Sequence, residues 1–201
     1  MREITCIQMD ITTVCNMACK DCCCGINMGL RAAVYHPWEY FERVAPYIQG
    51  IDRVDLFGGE PTTHPQFREF VPQFKALFGC KNLTMTTNGF KVKEYADLLH
   101  HFDFIQATPY GEQNAKSIVF LNGIGRDVRF FPGEFIPRDR VGGGKPCGRG
   151  QMETVAYADG KFWPCTPGPG VKDATGIEPT ADWKERILEH PMPCQTCFLS
   201  H

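Results

Sequence analysis

The sequence has no apolar run long enough to span a bilayer and nothing that reads as a secretory signal, which points to a cytoplasmic chain with no membrane partner. Charge of one sign is also missing. With 21 Lys and Arg against 23 Asp and Glu, the formal charge is only −2, so no global electrostatic argument favours nucleic acid or an anionic surface. Lysines and arginines form no stripe suited to tracking phosphates. The six histidines gather into no site, and internal repeats and low-complexity stretches are absent. Cysteine is abundant instead. Eleven of the 201 residues are cysteine, and they cluster: Cys15, Cys19, Cys22, Cys23 and Cys24 near the start, then Cys147, Cys165, Cys194 and Cys197, with Cys6 and Cys80 apart. An odd total without an export signal argues against a disulfide framework and for thiolate ligation of metal.

Between residues 4 and 132, short β-type runs alternate with helical patterns, the rhythm of a parallel sheet flanked by helices. Ile4 to Thr13 alternates strictly and is read as the first strand, with further strands at 53–57, 82–87, 103–108, 117–121 and 127–131. Helices are expected from Pro37 to Gln49, from Pro65 onward with a kink at Pro72, and from Lys91 to His101. Asn122-Gly123 reads as a hairpin turn, giving an antiparallel pair in that region. Gly142 to Gly144 breaks all pattern and marks a boundary between a unit over 1–141 and a second over 145–201. The second unit holds Val155 to Trp163 as a hairpin turning at Asp159-Gly160, then a short helix over 182–189. The fold class is therefore α/β: a truncated, partial (β/α) barrel of about six strands with a small C-terminal β-hairpin plus helix domain.

Cys15-Asn-Met-Ala-Cys19-Lys-Asp-Cys22 places three thiols on a loop directly after the first strand. Three ligands suit zinc with a water, or an iron-sulfur cluster with one iron left open to a chelator. Gly58-Gly59-Glu60-Pro61 follows the second strand and Thr86-Thr87-Asn88-Gly89 the third, both at the carboxyl ends of strands, where α/β sheets bind ligands. Together these motifs resemble the radical S-adenosylmethionine (SAM) superfamily. The resemblance implies that Cys15, Cys19 and Cys22 hold a 4Fe-4S cluster whose open iron binds SAM. It further implies that Gly58, Gly59, Glu60 and Pro61 receive the methionine amino group, and that Thr87, Asn88 and Thr108 approach its carboxylate or ribose. Cys23 and Cys24 are read as packed or loop thiols.

Cys147, Cys165, Cys194 and Cys197 fit one tetrahedral zinc site or one cubane. Their setting resembles the twitch or SPASM-type auxiliary domain of the same superfamily, which implies a second, fully protein-ligated 4Fe-4S cluster. The family logic then implies reductive cleavage of SAM to a 5′-deoxyadenosyl radical and hydrogen abstraction from a substrate. The auxiliary cluster would accept the remaining electron, and a flavodoxin or ferredoxin-type protein would serve as donor. Strand alternation puts Gln8, Asp10, Asp55, Gln106 and Thr108 on the face away from the helices. That lumen suits a small polar substrate held by Gln8 and Gln106, with Asp10 or Asp55 taking the proton lost in an oxidation; a satisfied structural network is the competing reading. The leading expectation is a dehydrogenase of a polyol, aminocyclitol, sugar or nucleoside. The alternative is a peptide-modifying maturase.

Overall fold

The computed structural model describes residues 3–19, 22–108, 115–123, 127–130 and 153–190. β1 (Cys6–Thr12) is followed by α1 (Trp38–Ile48), β2 (Arg53–Gly58), α2 (Phe67–Phe78) and β3 (Asn82–Thr87). A 3₁₀ segment (Val92–His101) leads to β4 (Phe104–Ala107), then α3 (Ala115–Gly123) and β5 (Val128–Phe130). β6 (Thr154–Ala158), β7 (Lys161–Trp163) and α4 (Trp183–Glu189) complete the described elements. One seven-stranded open sheet runs in the order β5-β4-β3-β2-β1-β6-β7, parallel except for the β6–β7 hairpin. This is an open, partial barrel: five of the six strands expected before residue 132 form, and the β6–β7 hairpin joins the same sheet.

The helices cover one face of the sheet because the apolar residues fall on one side of each element. Ile7, Met9 and Ile11 of β1, Leu56 of β2 and Met85 of β3 are fully buried against Phe41, Val44 and Ile48 of α1 and Phe67, Val71, Phe74 and Phe78 of α2. Phe41, Phe70 and Phe74 meet edge to face, the arrangement that aligns ring edges with ring faces. Truncating any one of these rings to Ala removes about 3–5 kcal/mol. β1 is an interior strand, paired with β2 on one side and β6 on the other, so the strand preceding the cysteines is flanked along both edges.

Three expectations are corrected. The apolar run 117–121 is helical, within α3, and not a strand. Because every residue from Ile118 to Leu121 is apolar, the run carries no period that separates a strand from a helix. Asn122-Gly123 accordingly ends α3 instead of turning a hairpin, and β4 and β5 pair in parallel, Ile105 with Val128. The segment after β3 winds as a 3₁₀ helix with non-helical backbone at Tyr95, whose ring packs edge-on against Phe67. α2, by contrast, continues through Pro72 without interruption. The Asp159-Gly160 turn is as expected: φ is positive at both residues (52° and 78°), the two-residue turn that matches strand twist. The Gly142–Gly144 boundary lies outside the described residues. β6 nonetheless extends the same sheet as β1.

Candidate active site

The carboxyl ends of β1, β2, β3 and β4 surround an open cleft with about 670 Å³ of empty space, its mouth included. Its walls are Cys15, Met17, Cys19, Cys22, Cys23, Cys24 and Asn27 from the loop after β1 and Phe57, Gly58, Gly59 and Glu60 from the end of β2. Thr86, Thr87, Asn88 and Thr108 complete it. Every residue expected to meet SAM or its cluster is here except Pro61, which is buried behind Glu60 as the first residue of a 3₁₀ turn.

The two glycines are dictated by how closely the chain leaving β2 passes the chain leaving β1. Gly59 N–H donates to the Thr12 carbonyl (2.7 Å) and Glu60 N–H to that of Val14 (2.9 Å), so the turn continues the β1–β2 pairing past the strands. At Gly58 φ is +116°, and a Cβ there would lie 2.3 Å from Thr12 O; at Gly59 it would lie 2.1 Å from Val14 O. Neither position has room for a side chain.

Glu60 is 1% exposed and ties the motifs together. Its Oε1 accepts from Thr62 N–H (3.2 Å), the Thr62 hydroxyl (2.6 Å) and the Thr87 hydroxyl (2.7 Å), and its Oε2 accepts from Asn88 N–H (2.7 Å). Burial pushes its pKa up while these donors pull it back down. Among the described residues Oε2 carries one donor against three on Oε1, which leaves the lone pair of Oε2 as the place for an ammonium group. Asn88 links this turn to the cysteine loop, its Nδ2 donating to Asn16 Oδ1 (2.8 Å).

The three cysteines differ in electrostatic setting. Burial pushes the Cys15 thiol up to about 11 and also raises Cys19. Cys22 is drawn down to about 5, chiefly by its contact with the Cys24 side chain and further by backbone N–H groups around residues 24–27. All three are partly exposed to the cleft. Their donor chemistry fits an iron-sulfur cluster, and the glycine turn beside them supplies the close backbone approach a cluster-bound amino acid needs. Among the described residues no three Cys, His, Asp or Glu side chains converge on a single metal ion, and a cubane does not ask them to, because each of its thiolates meets a different iron.

On the polar face below, Asp55 is fully enclosed; its Oδ1 accepts from Thr84 (2.8 Å) and its Oδ2 from Thr86 (2.8 Å), and burial raises its pKa. Gln106 Nε2 donates to Thr86 Oγ1 (3.2 Å), and Gln8 bonds both Asp55 and Thr166. Gln8, Asp55 and Gln106 are thus joined in one hydrogen-bonded network. Asp10 stands apart from it. It is 4% exposed, Arg31 Nη2 lies 2.5 Å from its Oδ2, and burial pushes its pKa up to about 6 against the pull of that guanidinium. Arg31 also grips Asp159 in the β6–β7 turn through Nε (3.2 Å) and Nη2 (2.8 Å). Sequence reasoning missed Arg31 entirely, since its two partners lie 21 and 128 positions away. Of the second cysteine set, Cys165 follows β7 and is partly exposed; Cys147, Cys194 and Cys197 lie outside the described residues.

A family model described as the radical SAM superfamily matches residues 9–108, the stretch that builds this cleft. The chain carries a radical SAM domain. Among curated relatives, the GTP 3′,8-cyclase of Mannheimia succiniciproducens is 30% identical over 96 residues, covering 46% of this chain and 28% of that protein. Molybdenum cofactor biosynthesis protein 1 of Homo sapiens is 29% identical over 91 residues, covering 44% and 14%. The chain spans less than a third of the length of the cyclases it matches. Among solved structures, BtrN in complex with AdoMet and 2-DOIA superposes with a TM-score of 0.73 at 15% identity, over 96% of this chain and 92% of BtrN. Streptococcus suis SuiB bound to S-adenosylmethionine gives 0.50 at 13% identity, over 99% and 72%. The stretch that matches the radical SAM model thus sits in a chain whose fold resembles that of BtrN. No helix among the described residues is long and apolar enough to cross a membrane.

Proposed function

We propose that this protein is a radical SAM oxidoreductase that removes two electrons from a small polar substrate such as a polyol, aminocyclitol, sugar or nucleoside. The observation that carries the reading is the single cleft in which Cys15, Cys19 and Cys22 face the Gly58–Glu60 turn and the ends of β3 and β4. When bound, the cluster and SAM supply an electron and a hydrogen-abstracting radical; the chain supplies everything else. Cys15, Cys19 and Cys22 hold the cluster. The Gly58–Glu60 turn and Glu60 Oε2 bind the amino end of SAM, and Thr87, Asn88 and Thr108 flank the rest of it. Glu60, held by four donors, cannot swing away, so the ammonium meets a preorganised acceptor.

The small-substrate reading draws support from the likeness to BtrN, whose structure holds AdoMet and 2-DOIA and which this chain resembles over 96% of its length, and from the polar lumen. The cyclase similarity covers less than half the chain, the part that holds the cysteine and glycine motifs, and so carries no weight for the substrate. For the proton lost on oxidation, Asp10 is the better placed carboxylate. Both Asp55 oxygens are committed to threonine hydroxyls, whereas Asp10 lies behind Gly58, which walls the cleft, and its pKa near 6 suits proton uptake. Gln8 and Gln106 line the substrate side, and the second cysteine set, Cys147, Cys165, Cys194 and Cys197, holds an auxiliary 4Fe-4S cluster that takes the second electron. A flavodoxin or ferredoxin-type protein is the proposed donor.

The test is anaerobic reconstitution followed by iron, sulfide and SAM-cleavage assays. About eight irons per chain are expected, falling to about four in a Cys15/Cys19/Cys22 triple alanine variant that also loses 5′-deoxyadenosine formation. Zinc without sulfide overturns the reading. An aminocyclitol panel scored for products two hydrogens lighter tests the dehydrogenase step, and a cyclised or crosslinked product refutes it.

A further inference from the structure

The cysteine run continues past the third expected ligand, and Cys24 is not placed like its neighbours. Cys15, Cys19 and Cys22 are partly exposed to the cleft, whereas Cys24 is 3% exposed. Its Sγ donates to the carbonyl oxygen of Gly58 at 3.1 Å, joining residues 34 positions apart. Gly58 lies beyond the last β2–β3 pair, Leu56 with Met85, so the β2–β3 ladder offers its buried carbonyl no partner. A buried carbonyl requires a donor, and the Cys24 thiol is the one the structure provides. The geometry on the other side is equally constrained, because Gly59 N–H is held by Thr12 O and a Cβ at Gly58 would strike Thr12 O and Asp10 Oδ1.

We propose that Cys24 is a positioning residue and not a cluster ligand: its thiol clasps the cysteine loop to the Gly-Gly-Glu turn and so sets the spacing between the cluster and the amino end of SAM. This rests on the radical SAM reading of the cleft. A ligand sulfur must be turned toward the metal, whereas the Cys24 sulfur, at the edge of the cleft but in a side chain only 3% exposed, is engaged by the Gly58 carbonyl. Without that donor the Gly58 carbonyl loses a buried hydrogen bond, and the turn that meets SAM loses its hold on the loop that carries the cluster.

The experiment uses the full chain, reconstituted anaerobically, as wild type, Cys24→Ala and Cys24→Ser. Iron and sulfide are counted, and SAM is titrated against the change it causes in the electron paramagnetic resonance spectrum of the reduced protein. Both variants are expected to keep wild-type iron. Cys24→Ala binds SAM about tenfold more weakly, as loss of one buried hydrogen bond implies, while Cys24→Ser keeps an O–H donor to Gly58 and stays within about threefold of wild type. Loss of about four irons from Cys24→Ala identifies Cys24 as a ligand and overturns the proposal. So does SAM affinity unchanged in Cys24→Ala, or equally weakened in both variants. Should Cys24→Ala fail to fold, a Cys24→Ser protein with wild-type iron and SAM affinity upholds the clasp, and one that loses either overturns it. Failure of the wild type itself to respond to SAM is a separate outcome that refutes the functional reading, not the clasp.

Discussion

A methyl group at residue 59 has nowhere to go. Its Cβ would sit 2.1 Å from the Val14 carbonyl oxygen, and that atom is backbone already bonded to Glu60 N–H. Gly59→Ala therefore costs more than the usual glycine-to-alanine change: about 2 kcal/mol or more in urea unfolding, with SAM affinity falling alongside. A second residue-scale prediction concerns His36, 6% exposed and stacked on Tyr40 at 3.9 Å. Burial drives its pKa from 6.5 down to about 4. Its folded pKa is depressed, so its contribution is intact above pH 6.5 and lost as pH falls toward 4, because the unfolded chain takes up the proton first. The loss amounts to roughly 3 kcal/mol across that window. Asp10, with its raised pKa, acts with the opposite sign, losing stability as pH rises from 3.8 to about 6. The clean measurement is thus a difference: melting of His36→Phe minus wild type rises as pH drops from 7 to 5, and a flat difference refutes the assignment.

Pro72 shows the same tension at the level of an element. It lies inside α2 on the solvent side, where it removes the hydrogen bond to the Arg68 carbonyl, yet the helix continues because Phe67, Phe70, Val71, Phe74 and Phe78 are buried along its other face. Pro72→Ala is expected to stabilise the protein by about 1–2 kcal/mol, the helix gain exceeding the entropy returned to the unfolded chain. Thermal unfolding measures it, and a lowered midpoint counts against it. Elements with a clear period were legible from sequence: β1 through Ile7, Met9 and Ile11, and α1 through Phe41, Val44, Ala45 and Ile48. α3 was not, since its apolar run has no polar face to set a phase. The segment before β4 reads as a helix but winds in 3₁₀ turns broken at Tyr95, whose ring sits against Phe67 and beneath Arg68.

Across the whole molecule, the site was legible where it consists of short motifs at strand ends, because Cys15 to Cys22 and Gly58 to Pro61 are local in sequence and the strand order brings them together. What escaped was long range. Arg31, its side chain 3% exposed, joins Asp10 on β1 to Asp159 in the β6–β7 turn, and no local pattern encodes that bridge. Arg31→Met leaves a buried Asp10 without its counter-charge and is expected to cost about 3–5 kcal/mol. Asp159→Asn, at a side chain 44% exposed, costs less than about 1 kcal/mol; equal effects in denaturant titration would contradict this ordering. The position of β6 has a temporal consequence. By the time a ribosome has made residue 130, strands one to five exist, but one flank of β1 is still bare, and it stays so until the chain has grown through residue 158. A nascent chain halted in that interval presents the bare flank of β1 as an open template for any neighbour, so slow translation between those points should favour aggregation over iron loading.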